Sequence, residues 1–260
     1  MPGVELLDPD QIKANLKTKR IGSVIIVYKS TSSTNDVAAE YATNKKNDGL
    51  VIFAEEQTAG RGRTGAKWDS EHADSILCSI VLADCKCSAE LLCLASAVAV
   101  AEAIGNKTGI KIKWPNDIML NGKKVAGILL EAKADKDRNT YIVGTGINCH
   151  QKKDSFPPEL QPIATSIDIE SGTVCDRILL AKRLLTCMEH WLEVAEKNGE
   201  KIIEQWRSMS IQLGHRVTVT FNGRKFAGNC IGIDPEKGLI LQLDSGGVRM
   251  FDAAHTTIAK

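Results

Sequence analysis

The residues best suited to chemistry crowd into one stretch. "EEQTAGRGRTGAKWD", from Glu55 to Asp69, sets Arg61 and Arg63 among Gly60, Gly62 and Gly65 and follows them with Trp68. Guanidinium groups are forks of donors that match carboxylate and phosphate oxygens, and glycines let backbone N–H groups turn inward, so this is the composition of an anion-holding loop. Trp68 is a large apolar anchor that would dock such a loop over a ligand. Several cations close together repel one another, which leads us to expect the loop to order only around an anion. The glycines also match G-x-G-x-x-G, and Asp84 stands near the distance of a dinucleotide fold's ribose carboxylate. That fold needs a helix between its strands. Only "AKWDSEHADS" separates Gly65 from the next strand, and it has no helical period. A P-loop fails too, because Lys67 comes late and no Ser or Thr follows it. A solvated glycine-rich turn is the plain alternative, and the density of Arg, Gly and Trp argues against it.

Four further stretches carry polar groups at strand ends. "TSSTND" (Thr31–Asp36) is a hydroxyl-rich turn ahead of a helix, which taken alone reads as simple N-capping. "KWPND" sets Lys113, Asn116 and Asp117 around Pro115. "GKKVAGIL" places Lys124 just before an apolar strand, and "GTGIN" ends a strand on Asn148. Taken one at a time, such lysines and glycines are usually solvated turns.

The elements that must position these groups are legible from periodicity and punctuation. Asp8 caps a helix with Pro9 at its first position. Strands are expected over Ser23–Ser30, at "GLVIFAEE" and over Ser75–Ala83, with a helix at "TNDVAAEYA". "AELLCLASAVAVAEAIG" is a core helix with Ser88 as cap and Gly105 as stop; Glu90 and Glu102 break its apolar run below the ~20 residues of a membrane span. "IKIKWPNDIML" reads as one strand interrupted by Pro115, Asn121-Gly122 as a tight hairpin, and "VAGILLEAKA" and "TYIVGTGINC" as two more strands. Their short connections require antiparallel pairing. Residues 149–172 read as a long loop. Helices follow from about Asp176 to Lys197 and at "EKIIEQWRSM". From Ile211 onward four or five short strands suggest a small barrel. The layout is α+β: a mixed or antiparallel sheet with helices mainly on one face, divided into residues 1–208 and 209–260.

Composition excludes some classes. The chain has 260 residues, 43% apolar and 25% charged, with a net charge of +1, so no global field draws it to nucleic acid or membrane. Eight cysteines without C-x-x-C spacing or a signal peptide read as reduced thiols in the cytoplasm. "CKC" at Cys85–Cys87 and Cys149-His150 lack the second ligand pair a zinc site needs.

Taken in order, "GRGRTGAKW", "KWPND", "KVAGIL" and "GTGIN" resemble the biotin–protein ligases, in motifs from about Ile21 to Asn148 and in the C-terminal barrel. The resemblance implies a class II synthetase-like, lipoate-ligase-like sheet with an SH3-like barrel. It implies that biotin and MgATP form biotinyl-5′-AMP, from which biotin passes to a lysine of a biotin carboxyl carrier domain. It also implies site residues. Ser33, Thr34 and Asn35 would bond the ureido ring. Gln57, Gly60, Arg61, Gly62, Arg63, Lys124 and Gly127 would line the biotin site. Arg61, Arg63, Lys113 and Lys124 would offset charge repulsion in the reaction. Trp68, Asn116, Asp117, Lys124, Arg63 and Asn148 would face ATP or the adenylate, with Asp117 toward Mg²⁺. Ala66 stands where many members carry a polar or basic residue, and the loop after Asn148, "CHQKKDSFPPELQPIATSI", offers no tryptophan to cover adenine. Only about twenty residues precede the first strand, so the expectation is the form without a DNA-binding domain, and a homodimer is compatible with it. Lipoate or octanoate transfer on the same fold stays open as the alternative. So does a non-enzymatic binding module, against which the low charge and the lack of basic-aromatic interleaving after residue 211 speak where nucleic acid is concerned.

Overall fold

A computed structural model describes residues 5–83, 85–105, 109–135 and 138–258; Asp84 lies outside them. In chain order the elements are α1 (Pro9–Lys13), β1 (Ile25–Tyr28), α2 (Thr34–Tyr41), β2 (Val51–Ala54), β3 (Ser75–Leu82), α3 (Ala89–Ile104), β4 (Ile110–Lys113), β5 (Asp117–Leu120), β6 (Lys123–Asp135) and β7 (Arg138–Asn148). Then come α4 (Ile167–Ser171), α5 (Arg177–Lys197), α6 (Gly199–Met209) and strands β8 (Arg216–Phe221), β9 (Arg224–Asp234), β10 (Gly238–Leu243), β11 (Val248–Phe251) and β12 (Thr256–Ile258).

Seven strands form a sheet in the order β1-β2-β3-β7-β6-β5-β4. β1 and β2 run parallel and every other neighbour pair is antiparallel, so the sheet is mixed, as expected. Alternation divides β3 between two faces. Ile76, Cys78, Ile80 and Leu82 join the large core with α3 and α5, while Val81 joins a smaller cluster under α2. α3 packs against α5, α6 and the sheet, which is why it is apolar all round rather than along one stripe. Its start is capped by Ser88, whose Oγ accepts from the Leu91 N–H. The last five strands form a second, antiparallel sheet in the order β11-β10-β9-β8-β12, and its buried residues continue the same core. Among the described residues no helix is long and apolar enough to cross a membrane.

Two expectations are corrected. "IKIKWPNDIML" is two strands, not one interrupted strand: β4 folds back antiparallel on β5, with Lys113 opposite Asp117 and a cis Trp114–Pro115 peptide in the turn. A proline at that point has no N–H for a ladder, and cis proline suits a tight reversal. The stretch 149–172 is also not loop throughout, because Ser166 caps the short helix α4 by accepting from the Ile169 N–H. The Asn121-Gly122 hairpin is as expected, with φ of 50° and 82° at the two residues.

Candidate active site

The chain leaves β2 at Ala54 and enters β3 at Ser75, and the excursion between them carries the glycine-arginine motif. The motif is itself a tight hairpin. Gly62 N–H donates to Ala66 O at 2.6 Å, Trp68 N–H donates to Gly60 O at 3.0 Å, and Arg61 bridges to Lys67. Thr64 and Gly65 form its tip with φ of 53° and 79°. The glycines therefore serve the loop's own geometry. A Cβ on Gly60 would stand 2.6 Å from the Trp68 carbonyl oxygen, and Gly65 meets the left-handed turn.

The hairpin folds over the sheet face opposite α3, and the cleft beneath it holds about 220 Å³. Its floor is a pair of glycines: Gly127 of β6 lies opposite Gly146 of β7. Trp68 rests on them. A Cβ on Gly146 would fall 2.5 Å from Trp68 Cε2, and one on Gly127 would fall 3.0 Å from Cζ3. The Trp68 Nε1 is buried on the Gly146 side of the ring and has no hydrogen-bond partner.

One end of the cleft is a buried polar network. Gln57 Oε1 accepts from the Thr34 N–H at 2.7 Å and from the Thr34 hydroxyl at 3.0 Å. Ser79 Oγ lies 2.7 Å from Thr34 Oγ1 and 2.6 Å from Asn35 Oδ1. Asn35 Nδ2 donates to Glu131 Oε2 at 2.7 Å. The N-capping expected of "TSSTND" is made differently: Ser33 sits at the cap position without a side-chain bond, and Gln57 from the following strand end satisfies the Thr34 N–H instead.

The other end is charged. Lys124 Nζ lies 2.5 Å from Asp117 Oδ1 and 5.5 Å over the Trp68 ring. The β5–β6 register shifts beside it, from Ile118↔Ala126 to Met119↔Lys124, and such a bulge re-aims a side chain. Asn116 is fixed by donating Nδ2–H to Ile128 O at 2.6 Å and accepting from the Ile128 N–H at 3.0 Å. Arg63 donates to Asn116 Oδ1 at 3.4 Å and also reaches the carbonyls of Ala253 and Thr256 beside the second sheet. Arg61 instead pairs with Asp36, and the bond from Arg61 holds the Asp36 carboxyl below the usual carboxylate range.

These pairings correct the expected self-repulsion of the loop for every cation named there except Arg63, whose partners are an amide and two carbonyl oxygens. Arg61 has Asp36 and Glu131, Lys67 has Asp69, and Lys124 has Asp117. The carboxylates come from α2, β5 and β6 as well as from the loop, and an offset of that kind shows only in three dimensions.

Of the residues anticipated from sequence, Ser33, Thr34, Asn35, Gln57, Arg61, Gly62, Arg63, Trp68, Asn116, Asp117, Lys124 and Gly127 line the cleft. Lys113 does not, because β4 is the outer strand, beyond β5. Asn148 is buried beside the cleft and donates Nδ2–H to Thr165 O at 2.9 Å, tying β7 to the 149–172 segment. Gly60 acts behind the lining, through Trp68. Sequence reasoning missed Ser79, Glu131 and Asp36. Ser79 alone had a signal, as a hydroxyl in an otherwise apolar strand. Among the described residues no cluster of three His, Cys, Asp or Glu side chains is placed to hold a metal, and none of the eight cysteines is in a disulfide.

Comparison with known proteins agrees with this geometry. Residues 27–148 match the Biotin/lipoate A/B protein ligase family. The bifunctional ligase/repressor BirA of Bacillus spizizenii is 38% identical over 254 residues, 95% of this chain and 78% of the relative. The biotin–[acetyl-CoA-carboxylase] ligase of Mycobacterium tuberculosis is 32% identical over 232 residues, 85% of this chain and 83% of the relative. The structure of the Aquifex aeolicus biotin protein ligase in complex with biotin and ATP superposes with a TM-score of 0.78 at 27% identity, covering 92% of this chain and 99% of that one. The chain belongs to the biotin/lipoate protein ligase family, among its biotin–protein ligases.

Proposed function

We infer that the chain is an ATP-dependent biotin–protein ligase. A biotin carboxylate oxygen attacks the α-phosphorus of ATP, pyrophosphate leaves, and biotinyl-5′-AMP is held. The ε-amine of a carrier lysine then attacks the anhydride carbonyl, giving biotinyl-lysine, AMP and a proton. The observation that carries this reading is the cleft itself: a buried amide-and-hydroxyl network at one end, cations at the other and a glycine floor between them. A neutral polar ring with an aliphatic acid tail asks for that division. The relatives named as biotin ligases, and the Aquifex structure with biotin and ATP, support it.

Within this reading Thr34, Asn35 and Gln57 bound the head-group end, where Arg61 is held by Asp36 and Glu131, and Arg63 and Lys124 are placed to meet the carboxyl and phosphate oxygens. The chain does little covalent chemistry; it positions two anions and offsets their repulsion. Mg²⁺, when bound, supplies Lewis-acid stabilisation of the phosphates. The residues fit an ion carried mainly by ATP, since Asp117 is the carboxylate lining the cleft and is already paired with Lys124. The carrier is proposed to be the biotin carboxyl carrier domain of a carboxylase. Cytoplasmic residence belongs to the proposal, supported by eight cysteines without C-x-x-C spacing, and a homodimer is compatible with it. A boundary near residue 209 is supported by the separate second sheet.

The test is to incubate the chain with biotin, MgATP and a carrier domain and to weigh the carrier. A gain of one biotinyl group is expected. No gain with an active control enzyme overturns the reading, and a lipoyl or octanoyl gain instead selects the alternative on the same fold.

A further inference from the structure

The excursion between β2 and β3 is long for a hairpin connection, and loops of more than ~15 residues inside a compact domain are usually functional. Its two ends meet at one buried ion pair that the reaction does not use. Glu55, 2% exposed, begins the excursion, and Ser75, fully buried, ends it. Arg177, the first residue of α5 and 3% exposed, reaches both. Its Nη2 donates to Glu55 Oε2, its Nε donates to Ser75 O at 3.2 Å, and its Nη1 donates to Glu5 O at 3.3 Å. The other Glu55 oxygen accepts from the Leu7 N–H at 2.5 Å, and the Glu55 carbonyl accepts from the Ala73 N–H at 2.9 Å. Ser75 Oγ accepts in turn from Gln151 Nε2 at 2.6 Å.

We propose that Arg177 is a positioning residue that clamps both ends of the glycine-arginine excursion and so sets how tightly the loop holds the adenylate. A planar fork can bond three acceptors in different directions, which a single ammonium cannot do from one nitrogen. Removing both charges from water is costly, and such a pair contributes little net stability over an apolar replacement. The β2–β3 ladder already sets Ala54 opposite Leu77, and what the pair adds is a side-chain tie of both loop ends to α5. The outgoing arm is bonded along residues 31–32, through Thr31 N–H to Glu56 O, Thr58 N–H to Thr31 O and Ala59 N–H to Ser32 O. The return arm has Ala73 on Glu55, and its Asp74 carbonyl accepts from the Cys149 and His150 N–H groups. With the ends fixed, the open states of the loop are fewer and closure over a ligand costs less.

The proposal rests on the reading that Arg63 and Trp68 in this loop hold the adenylate. The test uses the full chain with Arg177→Lys, which keeps the buried charge on Glu55 but loses the bond to Ser75, and with the paired change Arg177→Met and Glu55→Met, which removes both charges. Melting, tryptic cleavage after Arg61 and Arg63, the biotin KM, the kcat of transfer and the half-life of bound biotinyl-5′-AMP are measured. The expected result is release about 10-fold faster, a raised KM, a kcat within about 2-fold and faster cleavage in both variants. Arg177→Lys should add less than about 2-fold to release in an Arg63→Ala background, since both act through one loop. If Arg63→Ala speeds release while both clamp variants hold the adenylate normally, the clamp is wrong and the site reading stands. If Arg63→Ala itself leaves release unchanged, the site reading fails, and tryptic protection alone decides the clamp: cleavage no faster than in the unmutated chain overturns it. Should Arg177→Lys melt below the assay temperature, the paired variant carries the comparison.

Discussion

Arg61 grips Asp36 with two parallel hydrogen bonds, Nη1 to Oδ2 at 2.8 Å and Nη2 to Oδ1 at 2.6 Å. One partner is on the loop and the other on α2, so the pair ties the loop to the helix that carries Thr34 and Asn35. Both side chains are about two-fifths exposed, at 41% and 45%, so the bond is screened and its worth to global stability is small. Asp36→Ala should change unfolding free energy by less than about 1 kcal/mol. It should nevertheless speed tryptic cleavage after Arg61 several-fold, because the opening it governs is local. Cleavage at the unmutated rate would count against the tether.

A pH dependence follows from the same pair. The bond from Arg61 holds the folded Asp36 carboxyl below the ordinary value, against a smaller upward push from burial. A depressed carboxylate stabilises the folded form fully above its unfolded value of about 3.9, and that stabilisation is lost as pH falls through the lower, folded value. The Trp68 indole N–H resonance should therefore stay constant from about pH 8 to 5 and shift only below about 3.9. In Asp36→Ala that low-pH shift should shrink, leaving the part that the Lys124–Asp117 pair beside the Trp68 ring produces.

Gly146→Ala tests the glycine floor. The strand would accept alanine, but its Cβ would stand 2.5 Å from Trp68 Cε2 and 2.6 Å from Cζ2. Trp68 must move, at a cost of about 1–3 kcal/mol for overpacking. Biotin affinity by calorimetry should fall at least about 10-fold, matching a displacement of that size. Stability, though not affinity, should return when Trp68→Ala is added.

Ser79→Ala tests the head-group network. One hydroxyl hydrogen serves a site between Thr34 Oγ1 and Asn35 Oδ1, and Ser79 is fully buried. Its removal leaves a buried acceptor unsatisfied, costing about 1–3 kcal/mol in chemical denaturation. Biotin binding should weaken more than ATP binding, and equal losses in the two would place Ser79 outside the biotin end.

Lys124→Ala should slow single-turnover adenylation about 10²-fold, the usual scale for removing one group that stabilises developing charge. Release of adenylate already formed should change less. The Lys124–Asp117 pair is about one-third exposed, so melting should change little.

Much of the architecture was legible along the chain. The Ser88 cap, the Asn121-Gly122 hairpin and the apolar run of α3 are local signals, and the structure has each of them. The β4–β5 reversal is not legible in the sequence because apolar alternation continues through Pro115 and does not report direction. α4 has no signal in the sequence because five residues are too few to show a helical period.

The sequence by itself determined the composition of the loop, the order of motifs that marks the family and the identity of most cleft residues, because these lie within short windows. Only the tertiary structure decided their partners. Gln57 caps α2, Asp36 and Glu131 answer Arg61, Ser79 joins Thr34 to Asn35, and Gly127 meets Gly146 under Trp68. Each joins residues far apart in the chain, and strand register, a long-range property set by the whole sheet, brings them together.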